Sequence, residues 1–332
     1  MRAAGIEDIV TVTGFRRHDV VSSAEKLDIK TVYNPRFDEG MFSSVQAGAA
    51  ALPGWSRAFF LLPADIPLFR VSTLHELMRH ASMEGVVHPL FRGRHGHPPL
   101  IGTALLPAIL NFGGEGGLRA FLETRKSWAK EVPVADEGIL LDMDTPEDFD
   151  RLCRRSRCLH VPSRHERAAL LDMAGTPPRV RLHCETVASV CLRLGIALKE
   201  KGIHVDLPLL RGSALLHDIC KHTPDHIKNG EQFLRRHGFP LLAEITAFHR
   251  DLPSNPANEA AILYLADKLV SDRTVVSLGE RKKRMKERYG SDKNAWNAVR
   301  RRYASARRIA RRIEHFTGVP LEILLQKNEP PL

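Results

Sequence analysis

"ALLHDICKH", residues 214–222, sets a histidine and an aspartate side by side at the end of an apolar run. A carboxylate carried out of water without a partner is strongly destabilising, so the segment demands a cation or a full set of hydrogen bonds. In "RVRLHCETVASVCLRLGIAL" (179–198), Val180, Val187, Val190, Leu194 and Leu198 recur at helical spacing, and His183 falls four residues before Val187 on that stripe. In "EAAILYLADKLV" (259–270), Leu263, Asp267 and Val270 share a face, so Asp267 is expected to point inward as well. His183, His217, Asp218 and Asp267 thus aim two imidazoles and two carboxylates at one interior. That donor set suits a divalent Mn, Fe, Co, Ni or Mg ion with open positions better than a closed tetrahedral zinc site. One inward histidine alone is ordinarily a hydrogen-bonded core residue; the joint pattern carries the inference.

His226, in "PDHIKNGEQFL", and His249, which follows Leu242 and Ile245 at helical spacing, are placed to supply a second ion. Paired ions can clamp the attacking and leaving oxygens of a phosphate ester. Lys221 stands three residues after Asp218 and is expected on the same helical face, within reach of a bound phosphate.

The bulk numbers set bounds. A chain of 332 residues, 43% hydrophobic, is expected to form two domains with a core in each. The start, "MRAAGIEDIV", has no apolar h-region, and no stretch approaches the roughly 18 apolar residues of a membrane span. A cytoplasmic protein is expected. Five cysteines without a C-x-x-C pair indicate neither a disulfide framework nor a zinc ribbon. The net charge of +10 is local: residues 281–312 hold 14 Lys/Arg against two Asp/Glu. Trp296, Val299, Tyr303, Ile309, Ile313 and Phe316 recur through that segment at helical spacing. The arginines are therefore read as the solvated face of a packed helix, with a phosphate-binding rim or RNA contact as the alternatives.

The first half alternates short apolar strands, "DIVTVTG" (8–14) and "RAFFLLPADIP" (57–67), with helices at 41–52 and 71–82. This implies an α/β domain with a mostly parallel sheet and helices on both faces. From about residue 160 the periodicity is helical, so the expected division is 1–157 (α/β) and 158–332 (all-α). Asp65 follows the end of an apolar strand, where open α/β sheets hold ligands. Ser43 and Ser44 sit in a first helical turn, where exposed N–H groups and hydroxyls can hold a phosphate. In "DMDTPEDFDRL", Thr145, Pro146 and Asp148 form a plain helix start, which leaves Asp142 and Asp144 to join Asp65 around Mg²⁺.

Two resemblances rest on these residues. The order His183, His217-Asp218, Asp267 across successive helices, with "HDICK" and "DHIKNGEQFLRRHGFPLLAEITAFH", resembles the HD superfamily of metal-dependent phosphohydrolases over residues 165–320. The resemblance implies that His183, His217, Asp218 and Asp267 bind a catalytic metal whose water attacks phosphorus. It implies His226 and His249 as second-metal ligands, and Asp218 and Lys221 as catalytic residues. The stretches "NPRFDEGMFSSVQAG", "LPADIPL", "GRHGHPPLI", "GEGGLRA" and "DMDTPEDF", in that order, resemble the molybdenum-cofactor cytidylyl- and guanylyltransferase-like family over residues 5–152. That resemblance implies Mg²⁺ on Asp65, nucleotide contacts from Gly40, Met41, Ser43 and Ser44, and His97 and Pro98 lining the acceptor side.

This chain departs from the second family at its beginning. The family's first strand and glycine-rich loop, with its arginine and lysine, have no counterpart here, so the expectation is an upstream start or else a true truncation whose domain is dead or completed by a partner. The function expected is a phosphohydrolase acting on a phosphate ester or nucleotide, joined to an incomplete nucleotidyltransferase-like domain. A molybdopterin-type cofactor is a candidate partner; a membrane is not, and nucleic acid is the less favoured reading of the basic segment. The alternative is a nucleotide sensor with a structural metal.

Overall fold

The computed structural model describes residues 1–253 and 258–326. The chain divides into two compact units, Met1–Ser156 and Arg157–Leu332.

The first unit is α/β. Its helices are α1 (Arg17–Glu25), α2 (Met41–Ala50), α3 (Val71–Met78), α4 (Leu106–Asn111), α5 (Gly117–Glu123) and α6 (Pro146–Ser156). Strands β1 (Val10–Thr13) and β2 (Lys30–Tyr33) pair in parallel around α1. A second sheet combines β3 (Ala58–Phe60), β4 (Val86–Phe91), β5 (Arg94–His95), β6 (Leu100–Gly102) and β7 (Ala129–Pro133). Among the described residues β4·β7 is parallel there, and β3·β6, β4·β6 and β4·β5 are antiparallel. The mostly parallel pairing read from the sequence is thus corrected to a mixed sheet, and the cause is local. Arg92 and Gly93 both take positive φ, 49° and 80°, which is what a two-residue hairpin turn requires. The hairpin reverses the chain, and β6 then returns antiparallel between β3 and β4. Phe42 and Val45 of α2, Ile109 of α4 and Phe121 of α5 pack over Val86 and Ile101 of this sheet. Each such side chain contributes about 1.5–3 kcal/mol by leaving water.

The second unit is built of α7 (Arg164–Met173), α8 (Pro178–Lys199), α9 (Leu207–Leu216), α10 (His226–Arg236), α11 (Pro240–Ala247), α12 (Asn258–Leu269), α13 (Leu278–Tyr289), α14 (Lys293–Thr317) and α15 (Leu321–Gln326). Ser163 and Glu166 cap α7 reciprocally. Helix α12 is buried on every side, with Ile262, Leu263, Tyr264, Leu265, Ala266 and Leu269 all in the core. It therefore runs through the centre of the unit, where a polar side chain needs a partner. The unit is not wholly helical, because α12 leads into a small hairpin of β8 (Val270–Ser271) and β9 (Thr274–Val275). Asp272 makes its turn at φ 59°.

Helix α14 buries Val299, Tyr303, Ala306, Ala310 and Ile313 and exposes Arg300, Arg301, Arg307, Arg308, Arg311 and Arg312. Of the expected stripe, Trp296 and Ile309 are half-buried and Phe316 is exposed. Among the described residues, no helix is long and apolar enough to cross a membrane.

Candidate functional site

Five segments of the helical unit converge on one interior. His183 comes from the first third of α8, and Asp267 from the last turn of α12. Helix α9 ends at Leu216 with His217 as its C-cap, so His217 and Asp218 emerge from its buried end. His226 opens α10, and His249 lies two residues beyond α11. Lys221 is not on a helical face as expected. Residues 217–222 form turns, in which the Lys221 N–H donates to the Asp218 carbonyl at 2.8 Å. The buried Thr176 hydroxyl donates to the Ile219 carbonyl at 2.7 Å, and that bond replaces a helical one. The Lys221 ammonium still reaches Asp218, at 3.1 Å.

The ligand atoms form two groups. His183, His217 and Asp267 offer three within 4.8 Å of one another, and Asp218, His226 and His249 offer another three. Asp218 lies between the groups. Its Oδ2 is 3.6 Å from His217 Nε2, and its Oδ1 is 3.5 Å from His249 Nε2 and 3.7 Å from His226 Nε2. In the first group Asp267 Oδ1 lies 3.5 Å from His183 Nε2 and 3.8 Å from His217 Nε2.

The imidazoles are oriented from behind. His183 Nδ1 bonds the Asp272 carbonyl at 2.8 Å, His217 Nδ1 that of Ala214 at 2.8 Å, and His249 Nδ1 that of Thr246 at 2.5 Å. A carbonyl only accepts, so each Nδ1 carries a proton and each Nε2 is left facing the clusters, where it can hold either a proton or a cation. His217 Nε2 is buried with no hydrogen-bond partner among the described residues. A buried nitrogen facing two carboxylates calls for a positive charge between them, a proton or a cation, and these side chains suit a divalent ion.

Electrostatics agree. Burial opposes ionisation of Asp267, yet the His183 hydrogen bond, Lys268 and the neighbouring imidazoles hold its carboxyl well below the usual range. Asp218 is also lowered: burial works against this, and His217, His249 and Lys221 outweigh it. Burial and the His217 charge push His249 down to about 4. Burial, then Lys221, lower His226 as well. Burial also works to lower His217, but Cys184, Asp218 and Asp267 raise it to about 10. The buried negative charge thus draws a proton to the place where a divalent ion would compete.

Lys268 escaped the sequence reading. It is buried beside Asp267, donates from Nζ to the His249 carbonyl at 2.8 Å, lies 3.6 Å from Asp267 Oδ2 and covers the Tyr264 ring at 3.5 Å. Burial lowers it to about 8 against the pull of Asp267. The available signal was a lysine inside a helix apolar on every side. The Asp272 carbonyl behind His183 left no such signal.

In the first unit, Gly40 takes φ 101° ahead of α2, and Met41 is exposed. The Ser43 hydroxyl is engaged within the loop, against the Arg36 carbonyl at 2.7 Å and the Gly40 carbonyl at 2.8 Å. Asn34 Nδ2 donates to both Ser43 Oγ and Ser44 Oγ, at 2.8 and 3.0 Å, which makes Asn34 the organiser of this turn. Asp65 Oδ1 and His97 Nδ1 are both buried without hydrogen-bond partners among the described residues. Burial lowers the His97 pKa against the Leu61 backbone and Asp65, and Pro98 beside it is buried after a cis peptide bond. One unpartnered carboxylate oxygen on Asp65 fits a bound cation. Asp142 and Asp144 do not join it: both are exposed, and among the described residues no three-ligand group contains them. Thr145 caps α6 reciprocally with Asp148, its Oγ1 accepting from the Asp148 N–H at 3.2 Å.

Comparison with known proteins follows the same division. Residues 1–131 match the family described as the MobA-like NTP transferase domain, and residues 180–272 match the HD domain. The chain is 28% identical over 142 residues to the molybdenum cofactor cytidylyltransferase of Escherichia coli (strain K12), covering 42% of this chain and 71% of that one. It is 39% identical over 69 residues to an uncharacterized protein of Methanocaldococcus jannaschii, covering 19% of this chain and 41% of the relative. A solved nucleotidyl transferase from Methanothermobacter thermautotroptrophicus superposes with a TM-score of 0.41 at 23% identity, over 46% of this chain and 74% of that chain. The chain thus carries a MobA-like NTP transferase domain over residues 1–131 and an HD domain over residues 180–272.

Proposed function

We propose that the helical domain, residues 158–332, is a metal-dependent phosphohydrolase acting on a phosphate ester or nucleotide. His183, His217 and Asp267 would hold one divalent ion, and Asp218, His226 and His249 a second. The observation that carries this reading is Asp218, which turns one oxygen toward each histidine group. Bound ions there would supply Lewis acidity and a nucleophile at neutral pH. The chain's own part is positional. Backbone carbonyls fix three imidazoles, Lys268 anchors the His249 carbonyl, and the half-exposed Lys221 ammonium offers positive charge to an entering phosphate.

The α/β domain, residues 1–157, is proposed to bind a nucleotide. Gly40, Met41, Ser44 and the loop held by Ser43 would contact it, Asp65 would hold Mg²⁺, and His97 and Pro98 would face the acceptor. Nucleotidyl transfer by it, and a molybdopterin-type acceptor, are proposals resting on the MobA-like match and the Escherichia coli relative. The test is hydrolysis of a phosphate-ester and nucleotide panel with Mn²⁺, comparing the wild type with Asp218→Ala. Activity lost in the variant is the expected result. Absence of activity in the wild type with Mn²⁺ bound would replace this reading with a sensor holding a structural metal.

A further inference from the structure

The helical unit also contains a cavity of about 340 Å³ that none of the ligand residues lines. Its floor is apolar: Leu198 from the end of α8, Ile262 from α12, and Ile309 and Ile313 from α14. Its lip carries Arg308 and Arg312, one turn apart on α14 and both exposed. Arg308 donates to Ser305 Oγ at 2.9 Å, and Arg312 lies 5.5 Å from the Phe316 ring centre. Neither guanidinium has a carboxylate partner among the described residues, and α14 carries no acid between Asp292 and Glu314.

We propose that this cavity binds a small anion with an apolar body. A carboxylate or phosphate head would sit on Arg308 and Arg312, and an acyl chain would lie against Leu198, Ile262, Ile309 and Ile313. An apolar recess with a few convergent polar groups at one end is the form small-molecule sites take, and this one falls within their size range. Guanidinium forks match both carboxylate and phosphate oxygens. A solvated basic face accounts for Arg300, Arg307 and Arg311, but it does not account for an apolar recess with two cations at its lip that have no carboxylate partner among the described residues. The inference is independent of the phosphohydrolase reading.

Thermal unfolding of the full chain, titrated with decanoate, decyl phosphate, decanol or inorganic phosphate, tests it. Decanoate or decyl phosphate, or both, should raise the Tm saturably by about 5 °C. Which anion acts names the head group. Decanol and inorganic phosphate should not act, since each lacks one half of the match. The rise should vanish in Arg308→Ala/Arg312→Ala and in Ile309→Trp, which fills the floor and leaves the charge alone. If Ile309→Trp does not fold by circular dichroism, the arginine pair decides. No saturable rise with either anion, an equal rise with decanol, or a rise that persists in the folded variants would overturn the proposal.

Discussion

His88, on β4, stacks on His95 of β5 with ring centres 4.7 Å apart and planes within 7°. Burial, then the His95 ring, pull its pKa from 6.5 to about 4, against a smaller opposing effect of Glu131. The folded value lies below the unfolded one, so falling pH protonates the unfolded chain first. The stability concerned is present above about pH 6.5 and is lost toward pH 4, about 3 kcal/mol in all. Urea unfolding of the α/β unit at pH 7 and pH 4.5 should show that loss, and His88→Phe should flatten it. At the candidate metal centre, Lys268→Met is expected to weaken Mn²⁺ binding about tenfold by freeing the His249 segment and Asp267, as calorimetric titration would read. Equal affinity would make Lys268 a packing residue. Inward-facing His183 and Asp267 were legible because helical spacing alone assigns a face. The Nδ1 partners were not, because backbone carbonyls such as that of Asp272 are placed by turns that leave no mark in residue type.

At the scale of elements, the hairpin β8–β9 extends the candidate metal centre, since the carbonyl behind His183 belongs to its turn residue. Asp272→Gly keeps φ 59° accessible and should leave Mn²⁺ affinity unchanged. Asp272→Pro fixes φ near −65° and should cost about tenfold in affinity with the helix content intact. Helix α14 makes the complementary case, because both of its faces could be read. Tyr303 is buried, and Tyr303→Ala should destabilise the unit by about 3–5 kcal/mol, whereas Arg307→Gln should stay within about 0.5 kcal/mol. Denaturant midpoints separate these outcomes. Strand direction was the element-level property that could not be read. Apolar runs such as 58–60 and 100–102 look alike whichever way they pair, and the turn at Arg92-Gly93 sets their sense.

For the whole molecule, a change from α/β to helical periodicity near residue 158 is what the sequence leads one to expect, each half carrying its own core pattern. The structure divides at Ser156 and Arg157. Two cores in one chain make unfolding a sum of transitions, so a ligand of one unit reports which transition is its own. If the six ligand residues hold metal, Mn²⁺ at about a hundred times its dissociation constant stabilises the helical unit by about 2.7 kcal/mol. For a unit of this size that is a rise of about 5–10 °C, with the α/β transition left in place. Calorimetry with Mn²⁺ and again with excess chelator measures it, and Asp218→Ala should lose the difference. A shift in the α/β transition instead would locate the ion at Asp65. That outcome would remove the metal from the histidine clusters and leave His217 Nε2 to be answered by a proton alone.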